Sequence, residues 1–296
     1  MHKTLAIVVT YNPDITHLKK LIGILTSQVD ALLVIDNNSA NFNPQIVDDF
    51  PPKTEVILNH QNLGLATAYN QGCSIARERG FTHVILFDQD SLPAHDMVTA
   101  LYAAMCRYNG DTLKVAAAGP KYKDIKGQKL SPFVRIKNFH LERVPCADNE
   151  VVDVDHLISS GSLIDLRALE IAGNFADDLF IDCVDTEWCL RARHHNLRIL
   201  GVGNAFMDHS IGERYLHVFG RQLPMHTPLR LHYQFRNQIW IIRQSWVGWR
   251  WRVIDSTRCM KLIIIYAVFA QNRLRNLKAI ANGIVDGLRN KMGRLD

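Results

Sequence analysis

His83-Val84-Ile85-Leu86-Phe87-Asp88-Gln89-Asp90-Ser91 is the stretch from which the rest of this chain is read. Four apolar residues run without interruption into two carboxylates spaced one residue apart. A strand covered by helices on both faces reads as such a continuous apolar run. Where it ends, the backbone leaves the sheet at the rim on which open α/β sheets bind ligands. Two acids held there repel each other, a cost that a cation sharing the site removes. A hard divalent ion that also contacts substrate phosphates meets that need. The alternative is a polar turn with two solvated Asp side chains.

Outward from this stretch the pattern repeats. Leu5 to Thr10 and Ala31 to Ile35 are apolar runs that end in Tyr11-Asn12-Pro13 and Asp36-Asn37-Asn38-Ser39, and Glu55 to Leu58 is a third, shorter strand. Between them Ile15, Leu18, Leu21, Ile22 and Leu25 fall at helical spacing behind Asp14, a candidate N-cap. Leu63 to Arg79 reads as a helix stopped by Gly80, and Pro93 to Tyr108 as another, followed by a strand at Val115 to Ala118. Strands alternating with helices predict an α/β fold around a doubly wound, mainly parallel sheet. Residues 121–155 are a loop excursion or a small antiparallel insert. After Leu157 to Asp165 and an acidic segment that becomes a helix by Asn196, short strands are expected at Arg198 to Val202 and Ala205 to Asp208. From Pro228 the chain reads as helical, over Leu229–Trp246 and Trp251–Leu288.

Composition narrows the classes. With 296 residues, 47% hydrophobic and 21% charged, the chain can bury a large core. No apolar run approaches the roughly 18–20 residues that span a bilayer, the nearest being Leu262 to Ala270. The start has no signal-peptide design, and the six scattered cysteines form no CxxC pair, so a cytoplasmic protein with reduced thiols is expected. The net charge of +5 hides a split: residues 211–296 hold 15 Lys/Arg against 4 Asp/Glu, or +11, and residues 1–210 carry −6. A catalytic domain over 1–212 and a basic, mainly helical region over 213–296 follow from that split.

Several residues are candidates for chemistry. No GxGxxG follows the first strand and no P-loop is present, which argues against a dinucleotide enzyme and a P-loop NTPase. Asp36 could accept hydrogen bonds from a ribose or a base, or cap an Asx-turn. Asn62-Leu63-Gly64 sits at a strand-to-helix junction, where free N–H groups favour a phosphate or simply make a turn. Asp177, Asp178, Asp182, Asp185 and Glu187 crowd among aromatic and aliphatic residues; some fit a helix N-terminus, and at least one is expected to act as a general base. His209 ends a short apolar run and could complete the shell of an Asp-bound metal.

Taken in order, VVTYNP (8–13), VIDNNS (34–39), NLGLATAYNQG (62–72), FDQDS (87–91), SSGSLI (159–164), DLFIDCVDTEWCLRAR (178–193), DHSIG (208–212) and FRNQIW (235–240) resemble a family 2 glycosyltransferase with the GT-A fold. The Asp-Gln-Asp-Ser and Asp-Thr-Glu-Trp segments are most similar to the bacterial rhamnosyltransferase subgroup. The resemblance implies a metal-dependent, inverting transfer, with Mg²⁺ or Mn²⁺ as cofactor. It implies a nucleotide-diphospho-sugar donor, dTDP-L-rhamnose, and a glycan or polyprenyl-diphosphate-linked acceptor, as in O-antigen synthesis. It places Thr10, Asp36, Asn62, Gly64, Asn70 and Asp88 around the donor nucleotide, and Asp90, His209 and Asp88 at the metal. Ser160 and Gly161 would lie where donor sugar and acceptor meet, and Asp185 would be the catalytic base. Val184 stands where the family often has Glu, which leaves Asp182 or Glu187, beside Trp188, as substitutes. Arg236 and Asn237 would approach the diphosphate or the acceptor. The rivals are a transferase for a UDP- or GDP-linked sugar and an inactive GT-A-like binding protein.

The C-terminal region poses a separate question. Trp240, Trp246, Trp249 and Trp251 cluster with Arg243, Arg250, Arg252, Arg258 and Lys261 just before Leu262-Ile263-Ile264-Ile265. Such a face suits peripheral contact with an anionic membrane, on its inner side here, or packing on the catalytic domain or a second subunit as a homo-oligomer. No nucleic-acid motif accompanies the basic residues, so nucleic acid is not an expected partner.

Overall fold

The computed structural model describes residues 2–110, 114–124, 129–209, 214–218 and 221–295. The motif residues Ser210, Ile211 and Gly212 lie outside them. Along the chain come β1 (Thr4–Thr10), α1 (Ile15–Leu25), β2 (Ala31–Asp36), α2 (Pro44–Asp48), β3 (Thr54–Leu58), α3 (Leu65–Glu78), β4 (His83–Asp88), β5 (Ser91–Pro93), α4 (Met97–Tyr108) and β6 (Val115–Asp124). Next are β7 (Lys129–Leu130), β8 (Phe133–Lys137), β9 (His140–Val144), β10 (Val151–Asp153), β11 (Leu163–Asp165), α5 (Leu166–Ala172), α6 (Val184–His194) and β12 (Arg198–His209). The chain ends with β13 (Arg214–Val218), β14 (Arg221–Met225), α7 (Pro228–Arg243), α8 (Trp249–Val268) and α9 (Arg273–Arg289).

The main sheet runs β10-β12-β6-β11-β4-β1-β2-β3. The pairs β4-β1, β1-β2, β2-β3 and β12-β6 are parallel, while β11 and β10 are antiparallel to their neighbours. Alternation along each strand feeds two cores. Leu5, Ile7, Val9, Leu33, Ile35, Val84 and Leu86 pack under α3, α5 and α6. Ala6, Val8, Leu32, Val34, Ile85 and Phe87 pack under α1 and α4. Both faces being dry is why these strands read as unbroken apolar runs. Burying a full Leu or Ile side chain contributes about 1.5–3 kcal/mol, so this double layer dominates the fold's stability.

Three local expectations change. The strands expected at Arg198 to Val202 and Ala205 to Asp208 are one strand, β12. Its register against β6 jumps from Val202 opposite Pro120 to Phe206 opposite Lys121, so Gly203-Asn204-Ala205 is a bulge, which in sequence looks like a strand end. The helix expected from Pro93 begins at Met97, because Ser91–Pro93 pairs antiparallel with β12, Ser91 opposite His209. The helix expected over 251–288 is two, parted by Asn272 at φ 52° with no Gly or Pro to mark the turn. Residues 133–144 form the antiparallel insert, β8 with β9.

Helices α7–α9 build a third cluster around Leu231, Phe235, Cys259, Tyr266 and Ile280. Helix α9 lies close on α7 because Gly283 and Gly287 face it one turn apart. A Cβ at these positions would come within 2.4 Å of the His232 carbonyl oxygen and 2.6 Å of that of Arg236.

Candidate active site

The carboxyl ends of β1, β2 and β4, the Asp177–Cys183 loop and the C-terminal helices surround a cavity of about 710 Å³. Thr10, Asn37, Asn62 and Gly64 line one side, Asp88 and Asp90 with His209 the floor, and Asp182 and Asp185 the far side. One ligand atom each from Asp88, Asp90 and His209 lie within 4.8 Å of one another. Two carboxylates and an imidazole converging this closely are a suitable donor set for a divalent ion such as Mg²⁺ or Mn²⁺.

A hydrogen-bonded chain holds that cluster. The Asp88 amide donates to Ser160 Oγ at 3.1 Å, Ser160 Oγ lies 2.6 Å from Ser91 Oγ, and Ser91 Oγ lies 2.8 Å from His209 Nδ1. His209 Nδ1 is 3.6 Å from Asp90 Oδ1. Tyr69 donates to Asp88 Oδ1 at 3.0 Å. Burial pushes the Asp88 carboxyl above its ordinary range, opposed by His209 and reinforced by Asp90. Gln89 forms a two-point clamp on the Tyr11 backbone, accepting from its N–H at 2.8 Å and donating to its carbonyl at 3.2 Å. The amide thereby ties the ends of β4 and β1 together.

The opposite wall is a contorted loop. Phe180, Asp182 and Cys183 all have positive φ, near 62–64°, a conformation that side chains with a Cβ resist. Gly64, at φ 88°, lets the loop approach: a Cβ there would lie 2.5 Å from the Phe180 ring, and the Leu65 amide donates to the Phe180 carbonyl at 2.6 Å. From below, Asn237 Nδ2 reaches the carbonyls of Leu179, Ile181 and Asp182 at 2.9, 2.7 and 2.8 Å. Arg236 Nη2 reaches those of Asp178 and Leu179 at 3.2 and 3.0 Å. Both side chains are 0% exposed, and neither lines the cavity. They shape the acid loop and do not approach a diphosphate or an acceptor from where they stand.

Other sequence candidates are placed similarly. Ser160 and Gly161 are buried, Ser160 in the chain to His209 and Gly161 against Pro120 and Met207, so they support the floor and do not form its surface. Asp36 is buried with both oxygens occupied: Thr10 Oγ1 donates to Oδ1 at 2.8 Å, and the Ser39 amide to Oδ2 at 2.8 Å. It builds an Asx-turn, and its neighbour Asn37 faces the cavity instead. Asn62 accepts from the Gly64 amide at 2.9 Å. Asn70 tethers the loop from α3, donating to the Phe175 carbonyl and Asp177 Oδ1, each at 2.8 Å. Glu187 and Trp188 are core residues. Glu187 is paired with Arg191 at 2.7 Å, and Trp188 donates to the Gly173 carbonyl at 3.0 Å.

Of the acids offered as a base, that leaves two in the cavity. Asp182 is clamped by Arg230 of α7, at 2.5 Å. Asp185 forms no ion pair with Lys or Arg among the described residues and accepts from the Thr186 amide at 2.6 Å. Burial raises its carboxyl above the ordinary range, with nearby His156 pulling the other way. His156, Arg230, Gln234 and Arg258 also line the cavity and escaped the sequence reading as site residues. They are single polar residues far from the acid motifs in the chain, and only the basic cluster containing Arg258 gave any signal.

Comparison with known proteins identifies the family and the fold. Residues 6–166, more than half of the chain, match the family model for glycosyl transferase family 2. The dTDP-rhamnosyl transferase RfbF of Shigella flexneri is 29% identical over 290 residues, covering 97% of this chain and 96% of that protein. Among solved structures, GalNAc-T7 with UDP, GalNAc and Mn²⁺ aligns over 98% of this chain and 56% of its own, with a TM-score of 0.65 at 13% identity. S. aureus TarS 1–349 aligns over 98% of this chain and 82% of its own, with a TM-score of 0.60 at 15% identity. The fold is therefore GT-A, and the chain belongs to glycosyl transferase family 2.

Proposed function

We propose that the protein transfers L-rhamnose from dTDP-L-rhamnose to a hydroxyl of a lipid-linked cell-surface glycan intermediate, with inversion at the anomeric carbon. The observation that carries the reading is Asp185, a carboxylate with no Lys or Arg ion pair among the described residues, sharing one cavity with the Asp88, Asp90 and His209 cluster. Similarity to the S. flexneri dTDP-rhamnosyl transferase supports rhamnose as the sugar.

Asp88, Asp90 and His209 would hold Mg²⁺ or Mn²⁺, which when bound supplies Lewis-acid stabilisation of the departing nucleoside diphosphate. Thr10, Asn37, Asn62 and Gly64 line the side available to the nucleotide. Asp185 takes the proton from the acceptor hydroxyl as that oxygen attacks the anomeric carbon. A carboxyl raised by burial is a stronger base than a solvated one, which suits it to this proton. Asp182 is occupied by Arg230 and Glu187 by Arg191, so neither is available as a covalent nucleophile. A single displacement with one base inverts the centre. An acceptor of this kind stays in the membrane, so the protein works as a peripheral protein at its face.

Incubation of the purified protein with Mn²⁺ and a panel of nucleotide sugars, read by thermal shift and by donor hydrolysis, tests the donor. A shift with dTDP-rhamnose above all others is expected, with hydrolysis abolished by EDTA. Preference for a UDP- or GDP-linked sugar overturns the rhamnose assignment, and EDTA-insensitive turnover overturns the metal.

A further inference from the structure

Helix α8 has two unlike faces. Trp251, Ile254, Asp255, Cys259 and Tyr266 are buried, and Arg258 lines the cavity on the same side. At 100° per residue, Val253, Met260, Ile264 and Val268 fall on the opposite side. All four are exposed, and Leu274, just past the turn into α9, is 85% exposed. An apolar stripe of this length is costly in water unless something covers it.

The charges around it say what that is. Arg250, Lys261, Arg273, Arg275 and Lys278 are all exposed, and none forms an ion pair among the described residues. Residues 226–295 contain two acids, and both turn inward. Asp255 is 2% exposed, and Asp286 lies 3.2 Å from His232 Nε2. The outer surface of α8 and of the start of α9 is thus apolar and cationic with no anion to balance it. A second copy laid face to face would set cations against cations. An anionic bilayer supplies both the counter-charge and an apolar interior. Among the described residues no helix is long and apolar enough to cross a membrane.

We propose that this face of α8 with the α8–α9 turn docks on anionic lipid, Leu274 entering the interface between Arg273 and Arg275. Arg258 then stands on the opposite side of the same helix, so one helix diameter, about 10 Å, separates lipid headgroups from the cavity wall. The inference deepens the peripheral placement proposed above and rests on it. Flotation reads lipid binding alone and transfer to a short soluble acceptor reads the reaction, so the two fail separately.

The test is flotation of the full chain with phosphatidylglycerol–phosphatidylcholine vesicles and with phosphatidylcholine vesicles alone, at low and raised salt. Salt-sensitive binding to the anionic vesicles only is expected. Removing Arg273, Arg275 and Lys278 together by substitution with Ser should lower partitioning by about a hundredfold. Ile264→Ser with Leu274→Ser should lower it too, with thermal melting and soluble-acceptor transfer unchanged. Failure of the unsubstituted chain to float, equal binding to neutral vesicles, or unchanged partitioning of both variants overturns the proposal. So does a dimer in sedimentation that Ile264→Glu dissolves.

Discussion

The cavity has two acidic walls made from the same residue type and treated in opposite ways. On the floor, Asp88 and Asp90 stand at the end of a strand whose course is set by two dry cores, and they face each other and His209, neither forming an ion pair with Lys or Arg among the described residues. On the far wall, Asp182 is bound to Arg230, which leaves Asp185 as the lining acid of that wall with no Lys or Arg ion pair among the described residues. Regular sheet geometry brings a cluster of metal-ligating side chains together. A contorted loop, held from beneath by α7, silences its acids one by one until a single base remains. A wall that concentrates charge suits an ion. One that isolates a single carboxylate suits proton transfer.

The largest effect that separates the two walls is expected from Asp185→Asn. Loss of a general base costs about a hundred- to ten-thousandfold in turnover, while donor and Mn²⁺ binding, which belong to the other wall, should hardly change. Stability should move the other way. Because burial raises the Asp185 carboxyl in the folded state, its contribution is present below the ordinary carboxylate range and is lost as pH rises through the raised value. Asn keeps the bond from the Thr186 amide and carries no charge, so the variant should melt no lower than the parent at neutral pH, with its advantage vanishing at acid pH. The same raised carboxyl places the acidic limb of the parent's pH–rate profile above the usual carboxylate range. Near-parental turnover in Asp185→Asn would erase the division of labour.

Next in size is Asn237→Ala, which attacks the loop without touching the cavity. It removes one bond each from the carbonyls of Leu179, Ile181 and Asp182, of which Leu179 keeps its bond from Arg236. The expected loss of stability is about 2–4 kcal/mol, from lost bonds and unpaired buried groups. Denaturant melts measure it. Activity should fall as well, since residues 180, 182 and 183 hold an unfavourable backbone only while over-determined. A Mn²⁺ affinity equal to the parent's would show that the floor stands independently of the loop.

How far each wall could be read from sequence follows from how it is built. The floor was legible because a strand buried on both faces must be apolar until it leaves the sheet, so the run His83–Phe87 announces both the strand and its end. The β12 bulge was not, since Gly203-Asn204 reads the same whether a strand ends or skips register. For Arg236 and Asn237 the resemblance suggests a place beside the diphosphate or the acceptor, whereas the side chains point into the loop carbonyls behind the cavity. Arginine and asparagine serve a diphosphate or a stack of loop carbonyls equally well, and only the packing of α7 under the loop chooses between them. Ser160 and Asp36 share that ambiguity. Arg230, which clamps Asp182 from 48 positions away in the chain, left no pattern at all.

The smallest of these effects tests whether the floor needs its own support as the loop needs Asn237. Ser91 links Ser160 Oγ to His209 Nδ1 and touches nothing in the loop. Partners behind a metal-binding imidazole fix its orientation, and losing one typically costs about tenfold to a hundredfold in metal affinity. Ser91→Ala should fall at the lower end, because Ser91 is buried in the middle of a chain whose other members keep their places. Titration with Mn²⁺ followed by electron paramagnetic resonance reads the affinity directly. Turnover at saturating Mn²⁺ should return close to the parental level, since Asp185 and its loop are untouched. If saturation fails to restore it, Ser91 orients more than His209, and the two walls are coupled through Ser160 and the Asp88 amide rather than built apart.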